Sequence, residues 1–204
     1  MKKPQINHLA LFIALIAICL SCRKEHVSPI NQLVKDLFCF KTGSEWIYYD
    51  SLSHTTHKMV VTNYEIRQFA PESKGGRKIY DYAESIYIDL IIDGDSPSTS
   101  LKCRTWLLAD IDYDNTLVGM YISTPLIDNT LRCRTISLHC DENNNFSPSA
   151  TYLNTYVING ITYSDVYVFN VDNATYYVSK HTGFIRCVEN NYFDYVLIDK
   201  NVLQ

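Results

Sequence analysis

The chain has 204 residues, 18 basic against 22 acidic side chains and a formal charge of −4, with 47% of its residues hydrophobic. An acidic balance without a basic stripe excludes the usual nucleic-acid binders. The apolar fraction is that of a folded globular chain rather than a disordered one. The roughly 165 residues after Phe40 suffice for one sizeable core, which predicts a single domain.

The N-terminus has three parts. Lys2 and Lys3 supply positive charge, Leu9 to Leu20 is an uninterrupted apolar run, and Leu20-Ser21-Cys22 leads into Arg23-Lys24-Glu25. This order is that of a secretory signal peptide over residues 1–21. The apolar run is short of the ~20 residues needed to cross a bilayer. Leu20-Ser21-Cys22 resembles a bacterial lipobox, whose cysteine is lipidated and becomes the first mature residue; Cys19 stands where that motif usually has an aliphatic. The resemblance implies a lipid anchor on Cys22, and the absence of Asp after the cysteine points to the outer membrane. Acyl chains in number would hold the protein at a membrane firmly. Cleavage would remove Lys2 and Lys3 and no acid, leaving 16 basic against 22 acidic side chains.

Residues 22–27 read as the lipidated tether, and 28–204 as the domain. Ser28 is the expected helix N-cap, with Pro29 at the first helical position. Ile30, Leu33, Val34, Leu37 and Phe38 then share one helical face. The expectation is a short amphipathic helix on the domain body, with an interfacial, lipid-facing helix as the alternative.

From Glu45 onward Tyr, Val, Ile and Thr dominate, which suits pleated, half-buried strands. Strands are predicted at 46–49, 58–69, 78–92, 101–109, 117–123, 132–138, 152–158, 161–171, 175–179, 184–188 and 193–198. Their spacing predicts an all-β fold, a single antiparallel meander barrel or sandwich with one short N-terminal helix. Asn159-Gly160 between two β-branched and aromatic runs marks a tight hairpin. His181-Thr182-Gly183 and Glu189-Asn190-Asn191 read as further turns, so that 151–199 forms a four-stranded meander. The sixteen tyrosines suit half-exposed strands; a carbohydrate-binding aromatic face is the alternative use.

Phe40-Lys-Thr-Gly43-Ser-Glu-Trp46-Ile-Tyr48-Tyr-Asp50-Ser51 resembles the segment that follows the tether in many envelope lipoproteins of Bacteroidota. Gly160-Ile-Thr-Tyr163-Ser-Asp-Val166 and Thr175-Tyr-Tyr177-Val-Ser-Lys180-His-Thr-Gly183-Phe-Ile185 are similar to their C-terminal strand pair and hairpin. Cys39 departs from the proline many relatives carry. The resemblance covers the two ends of the chain and implies location and a β-rich fold, with no established activity. Asp50-Ser51-Leu52 also matches the O-glycosylation pattern of that phylum, which makes Ser51 a candidate acceptor. Read physically, Gly43 and Gly183 fit turns needing positive φ, and Trp46, Tyr48 and Val166 fit a core.

Chemistry-bearing motifs are sparse. Besides Cys22 the mature chain has Cys39, Cys103, Cys133, Cys140 and Cys187 without a Cys-x-x-Cys, which disfavours zinc ribbons and thioredoxin-like sites. Cys133 and Cys140 are the nearest pair in sequence and the candidate disulfide of an oxidising envelope. Asp110-Ile-Asp112-Tyr-Asp114-Asn115 opens like a calcium loop but lacks its Gly and terminal Glu, and reads as an acidic turn. His54-Thr-Thr-His57 lacks the Glu of a zinc protease. His139-Cys140-Asp141-Glu142 bunches four ligand types that consecutive positions seldom aim at one ion. No Gly-x-Ser-x-Gly elbow or phosphate loop occurs; Gly75-Gly76 stands alone in a basic turn. No cofactor and no catalytic residue is assigned. The leading reading is a non-enzymatic, membrane-anchored binding or surface-assembly component with an envelope protein or glycan partner. The alternatives are a carrier with an apolar cavity inside a curved sheet, and a glycan-processing accessory enzyme.

Overall fold

The structure, a computed structural model, describes residues 26–69, 81–93, 101–109, 116–125, 131–171, 173–189 and 192–204. Among them the chain opens with strand β1 (His26–Ser28), helix α1 (Gln32–Phe38) and strand β2 (Glu45–Asp50). The long strands β3 (Thr55–Phe69) and β4 (Asp81–Asp93) follow, then β5 (Leu101–Ala109), β6 (Thr116–Pro125) and β7 (Leu131–Cys140). The C-terminal part holds β8 (Phe146–Ser147), β9 (Ala150–Ile158), β10 (Ile161–Val171), β11 (Ala174–Ser179), β12 (Gly183–Glu189) and β13 (Phe193–Asn201). The all-β expectation holds, and each predicted strand is present.

The strands form one sheet in the order β8-β7-β6-β5-β4-β3-β2-β13-β12-β11-β10-β9. Two up-and-down meanders are thus joined where β2 pairs antiparallel with β13, Trp46 opposite Lys200 and Asp50 opposite Tyr195. Eight of its strands curl into an antiparallel half-barrel, and the strand order begins at β8 and ends at β9. It is one continuous sheet, and its two ends come together where Phe146 of β8 packs against Tyr167 and Phe169 of β10. The C-terminal meander has five strands, not the expected four, because the chain turns again at Asn173 between β10 and β11. One pairing is parallel: β1 lies along the start of β4, with Val27 opposite Tyr82. His26 and Val27, which the sequence reading assigned to the tether over 22–27, therefore belong to the sheet.

The helix begins three residues later than its sequence signals suggested. Ser28 is spent in β1, and Asn31 caps α1 instead, its side-chain oxygen accepting the Leu33 N–H at 2.8 Å. Asn is as good a cap as Ser, and the extended pairing with β4 decides between them. The predicted apolar face faces the core: Val34 and Leu37 are fully buried, and Ile30 and Phe38 nearly so. Phe38 lies between Phe169 and Phe184, with ring centroids 6.2 and 6.0 Å away. Glu84 of β4 accepts from the Ile30 N–H at 2.9 Å and from Lys35 Nζ at 2.7 Å. Asn31 donates to the Asp141 carbonyl after β7, and the Asp36 carbonyl accepts the His181 N–H. The helix therefore bridges both meanders. Among the described residues no helix is long and apolar enough to cross a membrane.

Strand β2 alternates half-buried and buried, so Trp46, Tyr48 and Asp50 point inward. The Trp46 indole packs edge-on against Phe40 at 4.9 Å and donates to the Thr182 carbonyl at 2.6 Å. Tyr48 Oη donates to the Phe184 carbonyl at 2.8 Å. The Asn159-Gly160 turn has φ of 51° and 77°, the left-handed pair a two-residue hairpin requires. At Gly183, with φ of +84°, an added Cβ would lie 3.0 Å from the Phe40 ring, whereas at Gly160, φ +77°, it would meet open space. Gly160→Ala should cost about 1–2 kcal/mol for the left-handed backbone, and Gly183→Ala about 2–4 kcal/mol because Phe40 must also give way. Urea unfolding of the two variants side by side checks the difference, which isolates the ring contact from the shared φ.

Candidate functional site

The sequence-predicted residues fall in several places. Cys22 lies outside the described residues, as do Asp110–Asn115 and the Gly75-Gly76 turn. Ser51 sits half-buried in the turn after β2, its hydroxyl donating to Asp194 Oδ2 at 3.0 Å, while Leu52 beside it is exposed. Cys133 and Cys140 both belong to β7. Seven extended residues separate them by roughly 23 Å, far beyond the span of a disulfide. Cys140 is a free, buried thiol, as is Cys39. The expected Cys133–Cys140 bridge is therefore overturned by their lying on one strand. Burial pushes both the Cys39 and Cys140 thiols up to about 12, so they act as small hydrophobes.

The clustered histidine and acid motifs disperse for similar reasons. His139 is exposed and Cys140 buried, because successive residues of a strand face opposite ways. Asp141 caps its own turn, accepting the Asn143 and Asn145 N–H groups at 2.9 and 2.8 Å. His54 Nδ1 pairs with Tyr49 Oη at 2.9 Å, and His57 Nε2 with Thr55 Oγ1 at 2.8 Å. Among the described residues no three metal-ligating side chains converge. Several tyrosines are engaged with other rings: Tyr156 stacks on Tyr177 at 4.8 Å, and Tyr195 on Phe193 at 4.7 Å.

What the fold does create is a cleft that no motif announced. Strand β11 covers β10 from Val166 to Val171, leaving Ile161–Ser164 paired on the β9 side alone. Strand β12 likewise pairs with β13 from Phe193 to Val196, and Leu197–Asn201 continues with β2 on its other side. The β11–β12 hairpin is thus shorter than its neighbours, and a notch opens beyond its tip. The resulting cleft of about 330 Å³ is lined by Ile161–Ser164, Ser179, Lys180, Thr182 and Leu197–Lys200. Ile161 and Ile198 are exposed on its walls, and Val157, next to it on β9, is 61% exposed.

The polar groups of the cleft differ in their commitments. Lys180 pairs with Asp36 of α1 at 3.1 Å, and its N–H donates to the Asp165 carbonyl at 3.2 Å. Burial raises the Asp36 carboxyl, but hydrogen bonds from Gln32 and Lys180 and the nearby positive charge outweigh it and hold the pKa low. Ser179 Oγ donates to the Ser164 carbonyl at 2.9 Å. Lys200 Nζ has a neutral partner, donating to Thr182 Oγ1 at 2.6 Å, and burial lowers its pKa. Among the described residues no carboxylate lies within ion-pair reach of it. A lysine beside a hydroxyl has the connectivity of a base and nucleophile. Here, however, Thr182 is 6% exposed and its own N–H is bonded to the Ser179 carbonyl, so that amide is not free to hold an oxyanion. The arrangement is better suited to holding an anion than to acyl transfer.

Behind the cleft the last strands are tied by a second polar set. Arg186 of β12 forks onto Asp194 of β13 with two 2.9 Å bonds and reaches Tyr156 Oη at 3.3 Å. Asp50 is buried and accepts from the Leu52 N–H at 3.1 Å, the Ser53 hydroxyl at 2.6 Å and the Asp194 N–H at 3.0 Å. Burial raises the Asp50 carboxyl, and these donors more than offset it, so its pKa falls below the usual range. Arg186 does the same for Asp194 directly. The sequence marked Asp50-Ser51 as a modification pattern; the structure uses both residues to hold β13 against β2.

No family model, curated protein or solved structure matches this chain.

The lowered Asp50 and Asp194 carboxyls generate a pH dependence of definite sign. Each stabilises the fold above the unfolded carboxyl value near 3.9, and that contribution is lost as pH falls through the lower folded values. Asp50→Ala leaves buried donors without an acceptor and should cost about 2–4 kcal/mol at pH 7. Urea titrations between pH 7 and 2 should show a shallower acid loss in the variant than in the parent.

Proposed function

We propose that this chain is an outer-membrane lipoprotein, anchored through lipid on Cys22, whose β domain binds an envelope protein or glycan without transforming it. The observation that carries the binding reading is the cleft beyond the β11–β12 tip. There exposed Ile161 and Ile198 line the same recess as Lys200, whose ammonium has no carboxylate within ion-pair reach among the described residues. Exposed apolar side chains gathered beside a polar recess mark interaction sites more often than scattered ones do. At about 330 Å³ the recess is at the small end of ligand pockets, and polar residues make up much of its lining. A carrier for lipid needs a larger, drier enclosure. Among the described residues α1, Trp46 and Phe169 belong to one packed core, which favours the binding reading over the carrier.

The anchor supports the same reading from the other end of the chain. A lipidated N-terminus would hold the domain at a surface where assembly partners are concentrated, so modest affinity suffices. The anchor is tested by expressing the full chain and its Cys22→Ser variant in a Bacteroidota host with an alkyne-tagged fatty acid. The parent should incorporate the label and enter the detergent phase of a Triton X-114 separation, and the variant should do neither. A variant that still partitions with membranes would sink the anchor. The binding reading is tested by native mass spectrometry of the lipidated protein purified in mild detergent. A bound polypeptide or glycan is expected on the parent and not on an Ile161→Asp, Ile198→Asp double variant. A chain carrying nothing but its acyl groups would argue against it.

A further inference from the structure

Two sets of half-paired backbone face the same recess. Ile161–Ser164 has β9 on one side, and Leu197–Lys200 has β2 on one side; both line the cleft. In an even sheet β10 and β13, with two strands between them in order, are roughly 14 Å from each other. Beyond Ser179 and before Gly183 the two intervening strands are missing, so the notch has open edges able to pair, the Ser164 carbonyl being already engaged by Ser179 Oγ. A globule or sugar ring would use the room; an extended backbone would also use the edges. The side walls suit alternating side chains, with Ile161 and Ile198 offering apolar surface.

The charge in the recess narrows the guest further. Lys180 is already neutralised by Asp36, whereas Lys200 holds its ammonium against a threonine hydroxyl alone among the described residues. An incoming carboxylate would give that ammonium a charge-assisted bond beside its neutral one to Thr182. Asp199 lies next to it, but its Oδ1 accepts the Lys200 backbone N–H at 2.8 Å. A phosphate or a glycan acid could meet the same ammonium, but neither would pair with the strand edges.

Building on the binding reading above, we infer that the cleft takes up one extended polypeptide strand, which continues the position β11 vacates beside Ile161–Ser164 and sets a carboxylate on Lys200. This is strand addition to an exposed sheet edge, in which main-chain bonds supply affinity and side-chain pockets supply selectivity. Four edge residues accommodate roughly 13 Å of guest backbone, so the recognised element is short. It is an acidic residue, or a C-terminal carboxylate, within a run of β-branched or aromatic residues.

The test is a selection of random twelve-residue peptides displayed on phage against the immobilised protein, followed by fluorescence anisotropy with the synthetic winners. Winners should carry Asp or Glu within a β-prone run. Their Kd should weaken about tenfold in Lys200→Gln, recover in Lys200→Arg, and stay unchanged in Arg67→Gln, which removes an equal charge far along β3. N-methylation of alternate peptide amides should abolish binding, and hydrogen exchange should slow at 161–164 in the complex. Winners that bind Lys200→Gln as tightly as the parent, or that protect other strands, would overturn the inference while leaving a binding protein. A selection that enriches no peptide would also overturn it. Native mass spectrometry of the purified lipoprotein then decides separately whether a glycan or another ligand is held, so the two readings fail independently.

Discussion

The fold turns on one hydrogen bond inside the core, from the Trp46 indole to the Thr182 carbonyl at 2.6 Å. It joins the first strand of the N-terminal meander to the turn between β11 and β12, 136 residues later in the chain. A buried indole N–H without a partner would be costly, and so would a buried carbonyl; each satisfies the other. The contact also fixes its surroundings. Phe40 stands edge-on to the indole, and Gly183 sits against Phe40 where a side chain would clash. The residue after Thr182 is glycine both because φ is positive and because no room remains.

Helix α1 completes what that bond begins. A half-barrel exposes an inner face along its open side, and an amphipathic helix of seven residues is too short to be stable on its own. Each supplies what the other lacks. Val34 and Leu37 fill the inner face, while Glu84, Asp141 and His181 hold the helix from three separate elements. The apolar helix face is buried inside the domain rather than offered to lipid. The same packing places Asp36 beside Lys180 and so removes one of the two ammonium groups at the cleft from availability.

Much of the architecture is legible in the sequence. The strand predicted at 46–49 and the β-branched, tyrosine-rich runs are strands in the structure, because these residue types suit a half-buried pleated surface. Asn159-Gly160 was equally plain, since few other pairs accept two positive φ values. The failures have physical causes too. Ser28 and Asn31 are both competent caps, and a parallel pairing with β4, distant in sequence, chose Asn31. Cys133 and Cys140 looked close when counted along the chain, but an extended strand separates what a helix or loop would bring together. The three turns read from the sequence after residue 151 imply four strands, and the further turn between β10 and β11 makes five.

The cleft belongs to a middle category. Its cause was present in the sequence: the run at 161–171 is about twice as long as those at 175–179 and 184–188. Unequal strand lengths become a recess when the sheet order sets the short hairpin between the long ones, and order is a long-range property. No motif marks Lys200 in the sequence; the tertiary structure places its ammonium on Thr182 Oγ1, with no carboxylate within ion-pair reach of it among the described residues. The sequence by itself determined the β-rich class, the turn chemistry and the apolar faces, since each depends on neighbours a few positions away. The tertiary structure decided which strand ends stay half-paired, which thiols stay apart, and which charge is left to face solvent, because those follow from how strands distant in the chain are ordered and packed.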